Sequence, residues 1–115
     1  MTRGNLDWTI ETREGLRLIA PIGRVDETTA TEFAERLAQE IGGAAGDGLT
    51  RLAIDLASID YMSSRGLRGL TLAQRQSADS GITIVLARPN QIMREILAIS
   101  RYDKVFQVFD DIDDV

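Results

Sequence analysis

The feature that most restricts this chain is a repeated switch between two hydrophobic periods. Leu52, Ile54 and Leu56 alternate with Ala53 and Asp55, a period of two. Ala30, Phe33, Ala34, Leu37, Ala38 and Ile41 recur at helical spacing and form one apolar stripe. Side chains alternate faces along a strand but return to one face every 3.6 residues in a helix, so each segment suits one element only. The run Ile82–Ala87 is apolar nearly throughout. A strand of that kind needs cover on both faces, which parallel strands joined by crossover helices provide.

The remaining segments extend this pattern. Trp8–Glu11 alternates, and Leu16, Leu18, Ala20 and Ile22 mark one face of a second strand. Glu14-Gly15 between them predicts a turn, hence an antiparallel hairpin, with Trp8 half-buried. Pro21, lacking a backbone donor, suits a strand end or an edge. Thr29 followed by Glu32 fits a capping box for the first helix, Gly42-Gly43 is expected to stop it, and residues 44–49 to form a flexible connection. A second helix is expected from about Gly66 to Ser80, with Leu67, Leu70, Ala73 and Ser77 inward and Gly81 as its left-handed end. Asn90 predicts the N-cap of a third helix that buries Ile92, Met93, Ile96 and Leu97. A last strand, Val105–Phe109, leads into the acidic end. The expected fold is α/β, with the order β-β-α-β-α-β-α-β, a mixed β-sheet and helices packed on it through right-handed crossovers. With no repeats or linkers, residues 1–115 read as a single domain, its core over about 6–110.

Composition narrows the chemistry. The chain has no histidine and no cysteine. The usual general base near neutral pH, the commonest metal ligand and the thiol nucleophile are therefore all missing. No phosphate-binding glycine loop of the GxxxxGK[ST] type is present. The expectation is a protein that is not an enzyme and needs no cofactor or metal. With 13 basic and 18 acidic residues the formal charge is −5, unfavourable for direct nucleic-acid binding, which draws on Lys and Arg. No segment approaches the ~18 apolar residues of a membrane span and no signal-like apolar stretch opens the chain, so no membrane contact and a cytoplasmic location are expected. Asp110-Asp111-Ile112-Asp113-Asp114 lacks the turn glycine and distant glutamate of a calcium loop. A solvated, frayed acidic end over 110–115 is expected instead.

The polar cluster Ser63-Ser64-Arg65-Gly66 lies between an apolar strand end and a helix start. One of the two serines is expected to cap the helix, placing a hydroxyl at the positive end of the helix dipole. A phosphoryl group there would meet free backbone N–H groups and add about −1.5 to −2 charges. Two readings stand: a plain cap or a switch.

The segment DYMSSRGLRGL, from Asp60 to Leu70, resembles the strand-to-helix turn of the STAS domain, as in bacterial anti-sigma factor antagonists. PIGRVDETTATEF, from Pro21, is similar to that family's Gly-x-hydrophobic-Asp and first helix, and PNQIMREILAISRYDKVFQVFDD, from Pro89, to its final helix and strand. The resemblance spans about Leu6 to Asp110 in the same element order. It implies that the unphosphorylated protein binds an anti-sigma factor that is also a serine kinase with bound ATP or ADP. Phosphorylation of the turn serine would release it, and a PP2C-type phosphatase would reverse the modification. By position the acceptor falls on Ser64, two residues before Gly66, with Ser63 as the alternative. Ser63 stands where many members carry aspartate, and Arg65 where many carry Ser, Thr or Ala. The partner-facing set is then Arg24, Asp26, Met62, Ser63, Arg65, Gly66 and Arg68. Asp26 could contact a partner or cap the first helix, and Met62 could anchor a partner or lie buried. Arg65 could pair with a phosphoryl group or remain a solvated arginine. A STAS adaptor or scaffold subunit whose serine is never modified is the alternative function.

Overall fold

In the computed structural model, which describes residues 6–115, the chain starts with the expected hairpin. Strands β1 (Asp7–Arg13) and β2 (Leu16–Val25) pair antiparallel. Glu14 and Gly15 both take positive φ (28° and 82°), the primed turn that matches the right-handed twist of two strands joined by a two-residue loop. Helix α1 (Ala30–Gly46), β3 (Arg51–Asp55), β4 (Ile59–Met62), α2 (Ser64–Ser80), β5 (Thr83–Ala87), α3 (Gln91–Ser100) and β6 (Gln107–Phe109) follow, with 3-10 turns at Tyr102–Lys104 and Ile112–Asp114. The sheet order is β1-β2-β3-β5-β6, and every pair after the hairpin is parallel.

One strand escapes sequence pattern. β4 pairs parallel with the last part of β2, with Arg24 opposite Tyr61 and Val25 opposite Met62. An irregularity between Gly23 and Arg24 shifts the register, and in β4 only Ile59 and Met62 are buried while Asp60 and Tyr61 are exposed. Four residues without alternation give no period to detect. The element order is therefore β-β-α-β-β-α-β-α-β. Pro21 falls where β2 leaves β3 (last paired at Ile19) and before it meets β4 (first paired at Gly23), so its missing N–H interrupts neither ladder.

The helices cover one sheet face. Phe33, Leu37, Ile41 and Ala44 of α1, Leu70 and Ala73 of α2, and Met93 and Leu97 of α3 bury against Ile19, Leu52, Ile54, Leu86 and their neighbours. This stripe explains why Gly42 and Gly43 do not end α1. Each glycine costs about 1 kcal/mol relative to alanine in a helix interior, but Ile41 and Ala44 are both fully buried, and that burial offsets the cost. The expected loop from residue 44 is helical to Gly46. Trp8 is half-buried, its ring centroid 5.9 Å from that of Phe33.

The expected capping box at Thr29 does not form. Its Oγ1 turns back to donate to the Arg24 carbonyl (2.6 Å) and accept from the Asp26 amide (2.9 Å), while Glu32 lies 3.7 Å from Arg36. At α2, Gly81 is left-handed as expected (φ 75°). On α3, Met93 and Leu97 are buried and Ile96 is partly so, whereas Ile92 is exposed. The last strand begins at Gln107, after an exposed Val105 and a buried Phe106. The acidic end is not frayed over its whole length. Ile112 and Val115 pack with Phe109 on Leu16, Leu18, Ala53 and Val85, on the sheet face opposite the helices. At its margin Asp55 is buried, its carboxylate accepting from Arg88 Nε (3.2 Å) and Nη2 (2.6 Å). No helix among the described residues is long and apolar enough to cross a membrane.

Asn90 joins two elements. Its Oδ1 accepts from the Met93 amide (2.9 Å) and its Nδ2 donates to the Ile59 carbonyl (2.6 Å), so the α3 cap also ties down β4. Asn90→Ala should cost about 1–2 kcal/mol, a lost cap together with an orphaned carbonyl, read as a lower urea midpoint with unchanged slope.

Candidate functional site

The site forms where β2 and β4 end side by side and α2 begins. Ser63 is extended (φ −78°, ψ 174°). Its amide donates to the Val25 carbonyl (2.8 Å) and its own carbonyl accepts from the Leu67 amide (3.0 Å). Its Oγ accepts from the Gly66 amide at 3.3 Å. Ser63 is thus the N-cap and Ser64 the first helical residue, two positions before the sequence-predicted start. Ser64 is exposed. As geometry requires of a helix start, the Ser64 and Arg65 amides have no intrahelical acceptor.

Gly66 explains how the helix start comes so close to the strands. A Cβ built there would lie 2.5 Å from Met62 Cγ and 2.6 Å from Val25 Cγ1. Both neighbours are themselves buried, so neither can move aside cheaply. Met62 therefore resolves toward burial. It supports the turn from beneath, as Gly66 does by being small, and neither offers an exposed side chain to a partner.

The exposed groups around Ser64 carry charge. Asp26 Oδ1 accepts from the Thr28 amide (2.9 Å) and hydroxyl (2.8 Å), which organises the approach to α1. Those bonds, aided by Arg24 Nε at 3.5 Å, hold the Asp26 carboxyl below its ordinary range. The Arg24 guanidinium sits 4.8 Å from the centroid of Tyr61. Arg65 Nε lies 3.1 Å from Glu27. Arg68 forms no ion pair among the described residues and lines a groove between α1 and α2. That groove, about 450 Å³, is also bounded by Ala30, Thr31, Ala34, Glu35, Arg65, Gly69 and Leu72.

All seven sequence-predicted positions thus gather at one end of the molecule, with Arg24, Asp26, Ser63, Arg65 and Arg68 at its surface or partly so. Sequence reasoning missed Glu27, Tyr61 and the groove residues Glu35 and Leu72. Tyr61 was hidden with its strand. Glu27 follows Asp26 directly, but only the packing of α2 against the β2–α1 loop brings it to Arg65.

Residues 7–115 match the STAS domain family. The Bordetella bronchiseptica protein BtrV is 33% identical over 75 residues, which cover 65% of this chain and 65% of that protein. The anti-sigma-F factor antagonist RsfB of Mycobacterium tuberculosis is 27% identical over 106 residues, 92% of this chain and 83% of RsfB. The crystal structure of an anti-sigma factor antagonist from Mycobacterium paratuberculosis superposes with a TM-score of 0.72 at 25% identity, covering 96% and 90% of the two chains. The anti-sigma factor antagonist SpoIIAA in its unphosphorylated form gives 0.66 at 15% identity, over 94% and 92%. The Bacillus SpoIIAA phosphorylated form gives 0.65 at 16%, over 94% and 95%.

The two serines should separate cleanly in stability measurements. Ser63→Ala loses the cap and should cost about 1 kcal/mol, whereas Ser64→Ala should stay within about 0.5 kcal/mol of wild type. Gly66→Ala should cost about 1–3 kcal/mol through overpacking, and urea unfolding ranks the three.

Asp26 carries a pH signature. Its folded pKa is depressed, so its contribution to stability is fully present above the unfolded value of about 3.9 and is lost as pH falls through the folded one. Asp26→Ala should flatten the stability profile below about pH 4 and leave its slope near neutrality unchanged, as followed by urea midpoints across acid pH.

Proposed function

The chain belongs to the STAS domain family, and from that footing we propose that it is an anti-sigma factor antagonist switched by phosphorylation of Ser64. The observation that carries this reading is the division of labour between the serines. Ser63 is committed to the helix cap, while Ser64 is exposed at the first helical position. Modifying Ser64 therefore changes charge without removing the cap.

In the unphosphorylated state the surface around Ser64, with Arg24, Asp26, Arg65 and Arg68, binds an anti-sigma factor, which then gives up its sigma factor. The anti-sigma factor acts as a serine kinase. Its ATP transfers the γ-phosphoryl to Ser64 Oγ, the bond from that phosphorus to the ADP oxygen breaks, and the hydroxyl proton leaves to a base of the kinase or to water. The product adds about −1.5 to −2 charges to the partner-facing surface. The helix start tolerates this well, since its dipole and free amides favour an anion. A partner surface complementary to the neutral serine does not, because a desolvated or like-charged phosphoryl opposes docking. A PP2C-type phosphatase would restore the serine by hydrolysis. Such a cycle runs in the cytoplasm, where ATP and the transcription machinery meet, and the chain is its substrate, with no catalysis of its own.

A second reading, a constitutive STAS adaptor, draws on one observation. Ser63 is a neutral cap, so the acceptor has no carboxylate beside it in sequence. Capture from host lysate decides between the two. Wild type and Ser64→Ala should retain an ATP-binding anti-sigma factor, and Ser64→Asp should lose it at least tenfold, about 1.4 kcal/mol. Equal capture of one partner by all three forms would favour the adaptor.

A further inference from the structure

Three arginines stand at the Ser64 end of the molecule, and two are already engaged. Arg24 is shared between Asp26 and the face of Tyr61. Arg65 is paired with Glu27 across the gap between α2 and the β2–α1 loop. Arg68 alone has no acidic partner among the described residues, and it is exposed. Helical geometry sharpens the distinction. At 3.6 residues per turn, Arg68 lies about 40° around α2 from Ser64 and one turn along it, whereas Arg65 is rotated about 100° away. Positions i and i+4 are neighbours on a helix surface, and adjacent positions are not. Arg65, Gly69 and Leu72 border the α1–α2 groove, so the Arg65 side of the helix faces α1. Arg68 sits between that side and Ser64.

We propose that Arg68, and not the adjacent Arg65, is the cation that receives a phosphoryl group on Ser64. The proposal rests on Ser64 being the acceptor. A guanidinium offers a planar fork of donors to phosphate oxygens, and no existing ion pair need be broken to supply this one. Arg65 would have to leave Glu27, and Glu27 would then face the new anion unshielded. The pairing also has a consequence for docking. Arg68 lines the α1–α2 groove together with Glu35 of α1 in the unmodified protein, so drawing it toward Ser64 leaves that carboxylate with less compensating charge. Phosphorylation then changes the charge of this surface twice, adding an anion and withdrawing a cation.

The test bypasses any kinase by installing phosphoserine at position 64 through genetic encoding, and it follows the second phosphate ionisation by phosphorus NMR. A cation at i+4 favours the dianion. The second pKa should therefore lie about 0.3 unit below its value in Arg68→Gln, a twofold change in dissociation constant as expected of an exposed helix pair. The difference should fade in ~1 M salt, where the Debye length is about 3 Å. Arg68→Lys should retain part of the shift, and Arg65→Gln should leave it in place. A pKa unmoved by Arg68→Gln, or moved further by Arg65→Gln, would overturn the assignment. Because no partner enters this measurement, failure of the phosphorylation switch in lysate and failure of the Arg68 assignment are told apart.

Discussion

The molecule depends on how one long strand divides its pairing. β2 meets β3 along Leu16–Ile19 and then, past Pro21, meets β4 along Gly23–Val25 on the same edge. Between the Gly23–Ile59 and Arg24–Tyr61 pairs β4 carries one extra residue, Asp60, a bulge that shifts the register so that Met62 comes opposite Val25. From it follow the position of Met62 beside Val25, the bond from the Ser63 amide to the Val25 carbonyl, and the start of α2 over both strands. Without that second pairing the bond from the Ser63 amide to the Val25 carbonyl, which seats the helix start beside the β2–α1 loop, could not form.

Close packing and exposure are set within the four residues Ser63–Gly66. Gly66 has no Cβ because Val25 and Met62 occupy the space it would need. Ser63 spends its hydroxyl on the Gly66 amide. Ser64, between them in sequence, has neither obligation. A helix start supplies partial positive charge whatever its sequence; here the neighbouring cations differ in how far they are already compensated. That inequality among Arg24, Arg65 and Arg68 arises from loops and strands, and not from the helix that carries two of them.

The opposite face of the sheet follows a different logic. Among the described residues no α-helix covers Leu16, Leu18, Ala53 and Val85, and Phe109, Ile112 and Val115 supply the cover. An acidic segment serves as a lid over apolar surface because its aspartates and its two aliphatic residues point different ways. The charge run masked this in sequence, where four aspartates around a single isoleucine read as solvated chain.

Local chemistry determined much of what was legible beforehand. Asn90 as a cap, Gly81 as a left-handed end, the Glu14-Gly15 turn and the three helical stripes each express a preference of a few adjacent residues, which no distant contact is needed to decide. The position of the polar turn Ser63-Ser64-Arg65-Gly66 between a strand and a helix was likewise visible. Tertiary structure decided the rest. It carried α1 through Gly42-Gly43, because burying Ile41 and Ala44 outweighs the glycine penalty. It created β4, whose four residues have no period of their own and exist as a strand only beside β2. It assigned the cap to Ser63 and freedom to Ser64, since either hydroxyl suits an N-cap and only the bond to Val25 fixes where the helix starts. Sequence determines what each short segment prefers, and packing decides between preferences of similar energy, because burial and long-range pairing are larger than the differences among them.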